Sequence, residues 1–148
     1  MDCSVALRIK LVEPPDGFAF CLQKGKGTQS ERLDYVIAEG KDLMFELDVD
    51  VRESNNSDVA NFVGPFAQGT PDVRFFYLCA GEYREPDEPR WLGRVKIPLS
   101  SITWAAVEAV VGDPNRVLEA SYAATAPKGG PALATVPLLN DGWKAVPR

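Results

Sequence analysis

The residues with the clearest chemical potential are acids on a two-residue repeat that only Met44 interrupts. Asp42, Glu46, Asp48 and Asp50 alternate with Leu43, Phe45, Leu47, Val49 and Val51. On a β-strand such a pattern puts the carboxylates on one face, about 7 Å apart at each two-residue step. Asn55, Asn56 and Asp58 follow in a polar stretch. Asp48, Asp50, Asn55, Asn56 and Asp58 together form an oxygen-rich set of the kind that a hard cation such as calcium prefers. Their spacing matches no calcium loop with defined ligand positions. A second use for the acids needs no ligand. Arg8 with Lys10, and Arg94 with Lys96, occupy polar alternation positions in two other runs. Cross-strand pairing with these cations would relieve the repulsion along the acidic face and fix the strand order. This pairing is the expectation to be tested against the structure.

The basic residues define another candidate. Arg74, Arg94, Lys96 and Lys128, with Trp91 nearby in sequence, are the groups that would recognise an anionic ligand if the fold gathers them. Trp91 and Trp143 are flanked by polar and charged residues, unlike most of the aromatic side chains, and so suit a surface or a pocket rim. Lys24-Gly25-Lys26-Gly27-Thr28 has only a superficial likeness to a phosphate loop. The first glycine is misplaced, Gly27 separates Lys26 from Thr28, and no helical pattern follows. It reads as a solvated turn, and Lys128-Gly129-Gly130 reads the same way.

Composition removes many chemistries. The 148 residues include no histidine. A Ser-His-Asp or Cys-His pair, an imidazole metal ligand and a histidine base are therefore impossible. Three cysteines cannot complete an all-cysteine tetrahedral zinc site. Cys21 and Cys79 lie in apolar runs and are expected as reduced thiols packing as small hydrophobes. The net charge of −5 and the scattering of Lys and Arg argue against a nucleic-acid or anionic-membrane partner. Met1-Asp2-Cys3-Ser4 lacks the basic and apolar regions of a signal peptide, and no apolar run reaches the roughly 20 residues of a spanning helix. A soluble, cytoplasmic chain is the expectation.

The elements that would position these residues are mostly strands. Val5, Leu7, Ile9 and Leu11 alternate up to the breaker Pro14-Pro15-Asp16-Gly17, and Phe18, Phe20 and Leu22 repeat the pattern. Leu33 to Ala38 is a shorter candidate. Asp42 to Glu53 is long for one strand, so a bend or bulge is expected within it. Arg74 to Ala80 is nearly continuous in apolar residues, which predicts a central strand buried on both faces. Trp91 to Leu99 alternates again. One helix is predicted over Ile102 to Val111, capped by Ser100 or Ser101 and stopped by Gly112. Val117 to Ala124 and Ala132 to Leu138 read as a final hairpin. The pattern predicts a mainly β single domain over residues 1–148. Its form would be an antiparallel β-sandwich or partly closed barrel of about eight strands with one short helix.

Three stretches in this order carry a family resemblance. They are Asn61-Phe62-Val63-Gly64-Pro65 running through Gly69 to Arg74-Phe75-Phe76-Tyr77-Leu78, then Arg94-Val95-Lys96-Ile97-Pro98-Leu99, then Lys128-Gly129-Gly130-Pro131-Ala132-Leu133-Ala134-Thr135-Val136 with Trp143 beyond. Together they resemble a family of small, mostly bacterial proteins known only as a domain of unknown function. In similar proteins the position before Gly81 is often tryptophan, whereas this chain has Ala80. The resemblance implies no activity. Arg94 to Ile102 is also similar to part of C2-type sandwiches, a likeness of fold that fixes no function. With no nucleophile–base pair in view, the sequence favours a non-catalytic binding or interaction module without a cofactor, one that could self-associate, whose partner is a protein or a small anionic ligand. A calcium-dependent module and a small carboxylate-based hydrolase or isomerase are the alternatives.

Overall fold

The computed structural model describes residues 2–26, 29–32, 35–52, 75–83, 88–99, 101–124, 135–137 and 142–148. These form ten strands: β1 (Asp2–Val12), β2 (Phe18–Lys26), β3 (Gln29–Arg32), β4 (Val36–Ile37), β5 (Leu43–Arg52), β6 (Phe75–Glu82), β7 (Arg90–Pro98), β8 (Arg116–Ala124), β9 (Thr135–Pro137) and β10 (Lys144–Pro147). One helix, α1 (Trp104–Glu108), joins β7 to β8. No helix among the described residues is long and apolar enough to cross a membrane.

The strands build two open sheets. The first runs β10-β8-β1-β5, with β9 also on β8; the second runs β3-β2-β6-β7, with β4 also on β2. Neither closes into a barrel. The mainly β class agrees with the sequence, but the all-antiparallel expectation needs correcting, because β1 and β8 are parallel. Alternation reports which face a side chain takes and is silent on the direction of the neighbouring strand.

Period-two alternation places the core. Val5, Leu7, Ile9, Leu11, Phe45, Val49 and Leu118 of the first sheet join Phe20, Leu22, Phe76, Leu78, Ala80 and Ile97 of the second in one buried cluster. Removal of a Leu, Ile or Phe side chain from water contributes about 1.5–3 kcal/mol, so this shared face is the main source of stability. Ile102, Val107 and Val110 add to the same cluster from the α1 region.

Two local expectations are corrected. Strand β5 has no bulge: its pairing with β1 is unbroken from Arg52 opposite Asp2 to Leu43 opposite Leu11. The irregularity sits instead between β6 and β7. There Ala80 faces Gly93 while Gly81 faces Trp91, so β7 carries one extra residue. The helix is also shorter than Ile102 to Val111. Thr103 caps it, its Oγ1 accepting from Ala106 N at 3.1 Å, and Gly112 at φ +84° turns the chain after it.

Candidate anion-binding face

The acidic face of β5 lies on the first sheet beside β1, and there the pairing expectation divides. Arg8 sits in register with Glu46 on one side and Glu119 on the other. Its Nε donates to Glu119 Oε2 at 2.5 Å, while Nη1 stands 3.9 Å from Glu46 Oε2. Lys10 Nζ reaches Asp42 Oδ2 at 3.9 Å. Glu46 also pairs with Arg148, and Lys144 is the register partner of Glu119. Glu46, Arg8, Glu119 and Lys144 thus form a row of alternating charge across four strands.

Arg94 and Lys96 take no part in it, which corrects the second half of the expectation. They belong to β7, in the other sheet. In β2 and β6 the core-facing residues are Phe20, Leu22, Phe76, Leu78 and Ala80. Alternation therefore turns Ala19, Cys21 and Gln23, with Phe75, Tyr77, Cys79 and Gly81, to the outer face. On that face the Arg94 guanidinium carbon lies 4.1 Å from the centre of the Tyr77 ring, and Lys96 Nζ lies 4.3 Å from that of Phe75. Lys96 is in register with Tyr77 and Arg94 with Cys79, so each cation leans one diagonal step onto the next aromatic ring. The two rings meet edge to face at 5.1 Å. Each cation–π contact at an exposed site contributes about 0.5–1 kcal/mol.

This geometry orders the cations without neutralising them. Gln23 Oε1 accepts from Arg94 Nη1 at 3.3 Å. The guanidinium is thereby held at its ring and at one donor. Its other donors keep the planar fork suited to a carboxylate or phosphate. Both cations are exposed, and the outer positions named on β2, β6 and β7 carry no carboxylate. Arg32 stands in register with Gln23 at the far side of the row.

The bulge completes the face. The extra residue in β7 shifts Trp91 onto the outer side, against Gly81, where a Cβ would meet Trp91 Cε3 and Arg90 O at 2.9 Å each. Trp91 then meets Tyr35 edge to face at 6.3 Å, and Tyr35 lies 6.1 Å from Tyr83. The outer face of β7 thus presents Trp91, Arg94 and Lys96 in succession, interleaved with aromatic rings. Trp143, the other tryptophan with polar neighbours, packs against the core instead.

Arg74, Lys128, Asn55, Asn56 and Asp58 lie outside the described residues. Asp48 and Asp50 are exposed on the first sheet. Among the described residues, no group of three or more Cys, Asp or Glu side chains is placed to hold a metal ion. Lys24, Gly25 and Lys26 belong to strand β2 and pair with β3, so they form neither a turn nor a phosphate loop; Gly27 and Thr28 lie outside the described residues. A cleft of about 330 Å³ opens near Asp48, between Ser4, Asp113, Arg116 and Arg148. Its guanidiniums are engaged in holding the fold. Arg116 donates to Ala109 O and Ala145 O, while Arg148 donates to Pro114 O and pairs with Glu46. With Asp48 and Asp113 at its rim, the cleft suits an anion less well than the β7 face does.

The sequence singled out Arg94, Lys96 and Trp91 but missed Gln23, Phe75, Tyr77 and Tyr35, which hold them. The alternation in β6 contained the signal: Phe75 and Tyr77 fall on the parity opposite to Phe76 and Leu78.

The family model described as a family of unknown function (DUF5990) matches residues 5–146, and the chain belongs to that family. No curated protein and no solved structure matches the chain.

Proposed function

We propose that the chain is a non-catalytic binding module, a single β-sandwich domain that takes an anionic ligand on the outer face of its second sheet. Arg94 and Lys96 would supply the charge, and Trp91 an apolar edge. The observation that carries the reading is the seating of both cations over aromatic rings rather than against carboxylates. Packing a charged side chain on a ring lowers its conformational freedom and leaves its charge available to a ligand. The protein is acidic overall, so such a face attracts anions by local geometry rather than by long-range field. The sharing of one core cluster by both sheets supports the sandwich. Arg74 and Lys128 remain candidates on the strength of the sequence alone. No cofactor is assigned, and the absence of histidine supports binding over catalysis.

Calorimetric titration with inorganic phosphate and with citrate tests the reading. Saturable binding to either, weakened about tenfold or more by Arg94→Gln while the melting temperature falls by no more than roughly 2–4 °C, the scale of one lost cation–π contact, is the expected result. Absence of binding by both probes, or equal binding by the variant, would overturn it.

A further inference from the structure

Cys21 and Cys79 are direct register partners across β2 and β6. Both are buried thiols, 0% and 2% exposed. Neither belongs to the central apolar cluster. They lie on the outer parity of the second sheet, with Gln23 and Tyr77. Opposed residues in an antiparallel pair have Cα atoms about 4.5 or 5.5 Å apart, and either spacing falls within the roughly 4.4–6.8 Å that a disulfide spans. The sheet has therefore brought two thiols, 58 positions apart in sequence, to a separation that a covalent bond can bridge without moving the strands apart.

The pair also touches the candidate face. Cys79 Sγ lies 3.8 Å from Gln23 Oε1, the same oxygen that accepts from Arg94 Nη1 at 3.3 Å. One side-chain carbonyl thus links the thiol to the guanidinium. We propose that Cys21 and Cys79 form a cross-strand disulfide on oxidation, and that its formation loosens Gln23 and with it Arg94. This regulation rests on the anion-binding reading above; the disulfide itself does not.

The step balances with a low-molecular-weight disulfide as oxidant. One thiolate attacks it to give a mixed disulfide and release one small thiol. The second cysteine then displaces the other small thiol, closing the Sγ–Sγ bond. The protein loses two hydrogens and two electrons; the oxidant becomes two thiols. In the product Cys79 has no S–H to donate to Gln23 Oε1, and its sulfur is drawn toward Cys21. Arg94 keeps its charge and its ring but loses part of its anchoring. Phosphate affinity is expected to fall roughly threefold, the scale of one weak neutral hydrogen bond. Both thiols are buried, so the reaction waits on local opening of the strand pair and is slow.

The test uses the full chain carrying Cys3→Ser, which leaves Cys21 and Cys79 as its only cysteines. After incubation with oxidised glutathione, the expected product is an intact mass lower by two hydrogens and a single Cys21–Cys79 cross-linked peptide without prior reduction. Stable glutathione adducts on the separate cysteines, or unreacted thiols after prolonged incubation, would overturn the disulfide. Phosphate titration of the reduced and oxidised forms then separates the two ideas. A roughly threefold loss on oxidation, reversed by a reductant, is expected. Equal affinity in both forms would overturn the switch alone. No binding by the reduced form would overturn the anion-binding reading and its regulation together, leaving the cross-link to stand on its mass.

Discussion

Replacing Arg8 by methionine removes the guanidinium from the centre of the charge row while keeping most of the aliphatic volume. The Arg8 side chain is only 12% exposed and that of Glu119 16%, so water cannot fully take over the lost contact. The magnitude follows from the distances. The Nε–Glu119 bond at 2.5 Å is short and charge-assisted, a class that contributes about 1.5–3 kcal/mol. The approach to Glu46 at 3.9 Å and the bond to Pro147 O at 3.4 Å are long and add little. Loss of Arg8 also leaves Glu46 and Glu119 on strands either side of β1, about 10 Å apart, where screened repulsion is only a few tenths of a kcal/mol. The expected cost is about 2 kcal/mol, read as a lower urea midpoint with unchanged m-value and a melting temperature lower by roughly 4–8 °C. A double-mutant cycle with Glu119→Gln should return a coupling of about 1 kcal/mol or more. A cost below about 0.5 kcal/mol, or no coupling, would class the row with ordinary surface ion pairs.

Three further outcomes follow from the same structure. Gly81→Ala puts a methyl group 2.9 Å from Arg90 O and from the Trp91 ring, and a backbone carbonyl cannot yield, so a loss of about 1–3 kcal/mol is expected in urea unfolding; an unchanged midpoint would show that the bulge is not tightly packed. Burial raises the Tyr122 hydroxyl above its ordinary 10.0, so the folded state holds its proton where the unfolded state has released it. Its contribution is complete below pH 10 and lost as pH rises through the folded value. Tyr122→Phe should then lose less stability than the parent between pH 9 and 11, and parallel curves would contradict this. Millimolar calcium should leave the melting temperature unchanged, because acids of this face are spent on cations, Glu46 on Arg8 and Arg148 and Asp42 on Lys10; a saturable rise would favour the oxygen-rich set of Asp48, Asp50, Asn55, Asn56 and Asp58.

Much of this architecture was legible because alternation is a local code. The acids of β5 and the cations of β1 and β7 all fall on the outward parity that the sequence predicts. The identity of the neighbouring strand is not local. Arg8 and Arg94 have the same kind of surroundings in sequence, yet one meets carboxylates and the other an aromatic ring, because β1 joins β5 and β7 joins β6. The bulge did leave a trace in sequence. Leu92 and Val95 are three apart in a run otherwise spaced by two, the interval that one extra residue in β7 produces. The helix is shorter than its alanine-rich run suggests because Thr103 sets the start and the chain after Glu108 passes into turns, Val110 N and Val111 N both donating to Val107 O. Strand β10 escaped notice because four residues ending at a proline carry too little periodicity.

The outer face of β7 is the anion site proposed for this chain. Phosphate titrated into uniformly ¹⁵N-labelled protein, followed through backbone, arginine Nε–Hε and tryptophan Nε1–H resonances, tests it most directly. Saturable shifts that share one dissociation constant are expected at Arg94, Gln23, Tyr77 and Trp91, with Arg8 and Arg116 unmoved. Shifts centred on Arg116 and Arg148, or none that saturate, would contradict it.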